Sequence, residues 1–268
     1  MSVQGAKYEI FKIRSADGKN EADFAKEEFR VGNVYYYENI LSPYITGIIT
    51  IISTAGSVES KEDTQERIGS LHTSLPLEAG CEIFMKIKNT LGEVLDFSSK
   101  RNTFKRLYVN EVQVIDKSST KEILQVRFVS KIGMANNSRR VTKHYRGSIS
   151  GSVKKILKDK FKLPNNRIEI DDSSNSYSFA GMTKRPFDII AMLAKQTIPK
   201  NTANPGYFAF ETKSGFKYIS VDKIINAEPY EQTYHYNGSI GSSQQTKSDR
   251  NDFKIGALSI KRDQNLVD

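Results

Sequence analysis

One cysteine, Cys81, stands in the 268-residue chain, so no disulfide can form within it. That fits synthesis in a reducing cytoplasm. Long apolar runs are missing as well. The longest, residues 45–52, is interrupted by Thr46, Gly47 and Thr50 and is far too short to cross a bilayer. Residues 1–7 lack the apolar centre of a secretory signal. Histidine is scarce: His72, His144 and His235 have no metal-ligand neighbour at useful spacing, and neither H-E-x-x-H nor C-x-x-C occurs. A Walker A loop and a dinucleotide fingerprint are also absent. The expectation is a chain without cofactor, without metal and without membrane insertion.

Catalytic signatures fail at named positions. Residues 147–151 have the spacing of a nucleophile elbow, but the central position is Ile149 and not serine. Asp171-x-Ser173-x-Asn175 opens like a calcium loop, yet its sixth position is Ser176 and its twelfth Met182. A surface loop whose Asx side chains satisfy their own backbone accounts for it better. Cys81, between Gly80 and Glu82, has no identifiable base and reads as a small packed residue. Carboxylates are abundant, so an Asp/Glu pair assembled only by the fold stays open. No catalytic residue is assigned, and the expectation is a protein that is not an enzyme.

What the chain does have is a localised positive charge. Lysine and arginine total 40 against 31 acids, a net charge of +9. Residues 139–167 hold ten basic residues and a single acid, Asp159, so their surplus equals that of the whole chain. Arg139, Arg140, Lys143, Arg146, Lys154, Lys155, Lys158 and Lys162 are the candidate contacts for nucleic acid or for an acidic protein surface. The bland alternative is a solvated helix face and loop.

Periodicity divides the chain. Up to about residue 130 the pattern is β. Residues 8–13, 29–37, 48–52, 81–88 and 94–97 read as strands, rich in β-branched and aromatic residues. Residues 107–115 and 123–129 form the clearest hairpin, around the turn residues at 116–120. Many short strands with turns between them indicate a barrel or a sandwich. After Gly147 the period changes. Val153, Ile156, Leu157 and Phe161 mark a helix capped by Ser150 or Ser152, with lysines on the opposite face. Pro186 opens a second helix, with Asp188 in its first turn and Phe187, Ile190, Leu193 and Ala194 as its buried stripe. A hairpin follows, with arms at 207–210 and 216–220. Residues 253–261 look like a further strand.

An ordered set of short segments resembles the central hub proteins of contractile, T-even-type phage baseplates. The set comprises Val31 through Gly47, then Leu75 through Ile83, then Lys143-His144-Tyr145-Arg146-Gly147-Ser148-Ile149-Ser150. It continues with Asn175-Ser176-Tyr177-Ser178-Phe179, with Lys184 through Ile190, and with Asn204 through Glu211. Together they cover roughly residues 8–240. The resemblance implies a mainly β chain: a tail-tube-like antiparallel β-barrel domain at 1–146, completed by about 222–240. It also implies an inserted α+β lobe at 147–221 and the start of a second, incomplete barrel at 241–268. The implied function is that of a virion protein, a homotrimeric ring joining the tail tube to the central spike. The implied partners are copies of itself, the tail tube protein, the spike protein and baseplate wedge proteins, with viral DNA in transit. The hub part of type VI secretion spike proteins is related, so a phage-derived injection device fits too. A nucleic-acid-binding protein, suggested by the charge, and a wall-degrading hydrolase are the alternatives from other classes. Of these two, the first lacks an aromatic-basic signature. The second has no local motif.

Overall fold

The structure, a computed structural model, describes residues 7–25, 29–54, 75, 77–88, 94–118, 121–201, 204–228, 235–236 and 254–255. It divides into two units, residues 1–226 and 227–268.

Alternating apolar residues in the first unit pair into one antiparallel sheet. Its strands are β1 (Lys7–Arg14), β2 (Glu21–Asp23), β3 (Phe29–Tyr37), β4 (Thr46–Thr54), β5 (Glu82–Lys88), β6 (Val94–Phe97), β7 (Leu107–Lys117) and β8 (Lys121–Ser130). The order is β2-β1-β5-β7-β8-β4-β3, with β6 also on β5. The path does not close on itself among the described residues. Phe11 and Ile13, Ile49 and Ile51, Ile83 and Met85, and Leu124, Val126 and Phe128 recur at every second position and bury one face. Each such side chain contributes about 1.5–3 kcal/mol when fully removed from water. The apolar run at 45–52 supplies β4, which is hydrogen-bonded to β3 on one side and β8 on the other. It is therefore a central strand and not a free edge. Gly47 permits this packing. A Cβ there would lie 2.1 Å from Phe128 Cζ and 2.3 Å from the Tyr35 carbonyl oxygen.

A second core follows, built mainly from helices. α1 (Lys131–Ser138) continues directly from β8. The sequence pattern misses α1 because Gly133, Asn136 and Asn137 break up any apolar stripe. Its start is fixed by Ser130, whose hydroxyl accepts from Gly133 N at 3.4 Å. Gly133 also lets the Tyr44 ring lie against the helix, since a Cβ would come 2.7 Å from Tyr44 Cδ2. Then come β9 (His144–Tyr145), α2 (Ile149–Phe161), β10 (Ile168–Ile170), β11 (Phe179–Ala180) and α3 (Pro186–Ala194). β12 (Tyr207–Thr212), β13 (Gly215–Ser220) and α4 (Val221–Ile225) complete the unit. β13 sits between β10, parallel to it, and β12, antiparallel. Phe187 is the centre of the aromatic packing: its ring lies 4.8 Å from Phe161, 5.7 Å from Phe216 and 5.9 Å from Tyr44. Ile132, Val141 and Tyr145, which precede residue 147, are buried in this same core.

Two local expectations are corrected. The cap of α2 is Ser148, which accepts from Gly151 N, and not Ser150 or Ser152. Those two serines are buried inside the helix. Ser150 instead exchanges hydrogen bonds with Ser173, its N–H donating to Ser173 Oγ at 3.0 Å and its Oγ accepting from Ser173 N at 3.2 Å. The loop at 171–176 is likewise not self-satisfied. Asn175 Nδ2 donates to the Gln196 carbonyl, Asn175 Oδ1 accepts from Ile198 N, and Asp171 accepts from Ser220 N. The loop is thus stitched to the segment after α3 and to the end of β13.

In the second unit, β14 (His235–Tyr236) pairs in parallel with β15 (Lys254–Ile255). The rest of the strand expected at 253–261 lies outside the described residues.

Candidate functional site

The basic stretch becomes a helix face. α2 buries Val153, Ile156, Leu157 and Phe161. The complementary arc carries Lys154, Lys155, Lys158 and Lys162, all exposed. Lys162 closes the helix in the left-handed conformation (φ 57°), its N–H donating to Leu157 and Lys158 carbonyls. Lysines in the last turn also suit the helix dipole. The described residues include no ion-pair partner for any of the four lysines.

The other candidates are placed differently. Lys143 Nζ is 3.0 Å from Asp159, so the one acid of the stretch is already engaged. That hydrogen bond raises the Lys143 pKa. Arg140 spends its Nη1 on the carbonyls of Asn137 and Arg139, beside the end of α1. Arg139 is half-buried and caps α1 through its own N–H. Arg146 is exposed. Arg167, the last basic residue of the stretch, is buried and donates to the Lys213 carbonyl. The cationic surface is thus the α2 face, with Lys143 held beside it by Asp159.

A second surface has no counterpart in the sequence reading. β7 runs beside β5 only at Leu107 and Tyr108, with backbone bonds between Val109 and residues 80–81. From Asn110 to Lys117 it has β8 on one side and, among the described residues, no strand on the other. Val114 lies opposite Leu124, so both point to the same face of the hairpin. Leu124 is fully buried, whereas Val114 is 45% exposed and its neighbour Ile115 53% exposed. The apolar face of the sheet therefore runs on past its cover. Two bulges, at Val109/Glu111 and Val114/Asp116, together with the charges of Glu111, Asp116 and Lys117, blunt this edge in a lone subunit. β3, the outer strand at the other end, exposes Tyr35 and Tyr37, whose rings stack 6.4 Å apart.

An open cleft in the second core is lined by Asp171, Asp172, Lys200, Tyr207 and Lys223, among others. Lys223 is committed to Glu169 at 2.9 Å and Asp171 at 2.8 Å. Burial and the Asp171 and Asp172 carboxylates push the Tyr207 hydroxyl up to about 12. Within the cleft, Lys223 and Asp171 are thus paired with each other. No group of three or more His, Cys, Asp or Glu suited to a metal occurs among the described residues. No described helix is long and apolar enough to cross a membrane. Cys81 is fully buried among the core residues of the sheet.

No protein-family model matches the chain, and no curated protein matches it. Solved structures do. The 43 kDa tail protein of prophage MuSo2 from Shewanella oneidensis shares the fold at a TM-score of 0.50 and 9% identity, over 86% of this chain and 58% of that one. A tail protein from Neisseria meningitidis aligns at TM-score 0.38 and 11% identity, over 80% and 50% of the two chains. A type VI secretion component from E. coli, described as structurally similar to bacteriophage tail proteins, aligns at TM-score 0.35 and 9% identity, over 81% and 47%. The chain thus shares the fold of the Shewanella prophage tail protein. It spans 58% of the length of the Shewanella protein.

Proposed function

We propose that the chain is a structural subunit of a phage baseplate hub, acting by assembly and not by chemistry. The observation that carries this reading is the fold shared with the prophage tail protein over 86% of the chain. In this reading the sheet is part of a tail-tube-like barrel wall at 1–146, completed by about 222–240. Residues 147–221 are an inserted lobe, and 241–268 begin a second barrel. Three copies form a ring that joins the tail tube to the spike, contacts wedge proteins and lets viral DNA pass. The chain then resides in the virion tail.

The open edge of β7 supports assembly. A strand from a second copy would satisfy its backbone and cover Val114 and Ile115, which extends the apolar face across the joint. The lysine face of α2 suits an acidic protein neighbour. A conduit should not grip its cargo, and phosphate contacts would make DNA passage strongly salt-dependent. The test is co-expression with the tail tube and spike proteins of the same phage, followed by light scattering on the purified complex. A mass with three copies of this chain supports the proposal. A strict monomer in the presence of both partners contradicts it.

A further inference from the structure

The two cores of the first unit meet at a polar seam, and its centre is a buried carboxylate. Glu211, near the end of β12, is 6% exposed. Its Oε2 accepts from the backbone N–H of Ile45 at 3.2 Å, just ahead of β4, and from the hydroxyl of Ser130, at the end of β8. Ser130 Oγ is also the acceptor that caps α1. One carboxylate of the helical lobe therefore holds two strands of the sheet and orients the cap of the first lobe helix. A second clasp lies alongside: Glu38 Oε1 accepts from Lys213 N and from the Tyr36 hydroxyl, both at 2.6 Å.

Among the described residues, no cation lies within ion-pair distance of Glu211. The charged and titratable groups facing the seam, among the described residues, are Arg167, from the turn before β10, and Glu38 and Tyr36, from the end of β3. Arg167 is spent on the Lys213 carbonyl, and its buried Nε has no hydrogen-bond partner. An ionised Glu211 would thus be a buried charge held by two neutral donors, with Arg167 at a distance and Glu38 opposing it.

We propose that this seam is a protonation-controlled latch: it is tight while Glu211 carries a proton and loosens when Glu211 ionises, freeing the lobe to shift against the sheet. Burial, working against the Ser130 and Ile45 hydrogen bonds and Arg167, raises the Glu211 pKa to about 7. The device therefore sits in the physiological range. The sign follows from the raised value. Below the ordinary carboxylate pKa of 4.5 both open and closed states are protonated, and opening is insensitive to pH. Between 4.5 and 7 the closed state loses its advantage as pH rises.

Hydrogen–deuterium exchange on the full chain at pH 6 and pH 8, corrected for intrinsic exchange, reads the latch directly. With these pKa values, opening across the peptides that carry Ile45 and β12 should rise about tenfold from pH 6 to pH 8 in the wild type. In Glu211→Gln, which keeps the shape but cannot ionise, the corrected exchange should be the same at both pH values. Ser130→Ala removes a donor that favours the charged form, so the opening transition should move to higher pH. Glu38→Gln should leave the transition in place to within a pH unit. Equal corrected exchange at the two pH values in the wild type overturns the proposal, even if a variant fails to fold. So does an unchanged pH dependence in a folded Glu211→Gln protein. Neither result bears on the hub reading.

Discussion

The side-chain carbonyl of Asn136 accepts from the backbone N–H of Phe187 at 3.0 Å, tying α1 to the first turn of α3. Phe187 N is one of the donors that a helix start leaves without an intrahelical acceptor, and the preceding Arg185 offers no side-chain cap. Asn136 is buried, so the bond replaces a contact that water cannot make. Asn136→Ala should destabilise the chain by about 1–3 kcal/mol in chemical denaturation. Asn137→Ala, one residue on and exposed, should change stability by less than about 0.5 kcal/mol.

Gly47 offers a sharper test of the sheet. Its missing Cβ makes room for the Phe128 ring and for the Tyr35 carbonyl on the adjacent strand. A ring can turn away, but a backbone carbonyl in a paired strand cannot. Gly47→Ala should cost about 1–3 kcal/mol or more through overpacking. Gly32→Ala, in β3, meets Thr50 only at 3.5 Å and should be nearly neutral.

From two groups, Glu169 and Glu211, stability should fall on both sides of a maximum near pH 4.5. On the acid side, hydrogen bonds from Lys223 and Lys217 hold the Glu169 carboxyl below its ordinary 4.5, with burial opposing. Its contribution is present above 4.5 and is lost as pH falls through the lowered folded value. Glu169 is well exposed, so solvent screening keeps that loss small. On the alkaline side the raised Glu211 pKa gives the opposite sign. Its contribution is complete below 4.5 and is lost as pH rises to about 7. At about 1.4 kcal/mol per pKa unit, the change is on the order of 3 kcal/mol. Thermal melts from pH 2 to pH 9 check both limbs. Glu211→Gln should flatten the alkaline limb and leave the acid limb.

Reversing the charges of Lys154, Lys155, Lys158 and Lys162 together should cost the fold no more than about 2–3 kcal/mol, since all four are exposed and the loss is confined to the helix dipole. Co-purification with the tail partners should be lost. Retained assembly of the quadruple variant would return this face to the status of a solvated helix surface. Salt-sensitive capture of duplex DNA by the isolated chain, abolished by the same substitutions, would favour the nucleic-acid reading.

Much of the fold was legible because its elements carry their own period. β3 and β6 lie where the β-branched and aromatic runs placed them, and Pro186 opens α3 with Asp188 in its first turn. The hairpin arms at 107–115 and 123–129 gained only a residue or two at their ends. The misses have a common physical cause: they depend on contacts distant in sequence. α1 has no apolar stripe and is held by Ser130, Asn136 and the Tyr44 ring. β10 is too short to announce itself and exists through its parallel partner β13. The lysines of α2 were visible as a charge run. Nothing local distinguished Arg167 from them, although it points into the seam. The open edge of β7 could not be read at all, since an edge is defined by which strands fail to reach it.

The most direct test of the hub reading is the rotational symmetry of the assembled particle in electron micrographs of this chain bound to its tail tube and spike proteins. A ring with threefold symmetry in this chain, dissolved by Val114→Lys on the open edge of β7, is the expected result. A particle in which this chain remains a single copy, or a ring indifferent to Val114→Lys and built through some other surface, contradicts it.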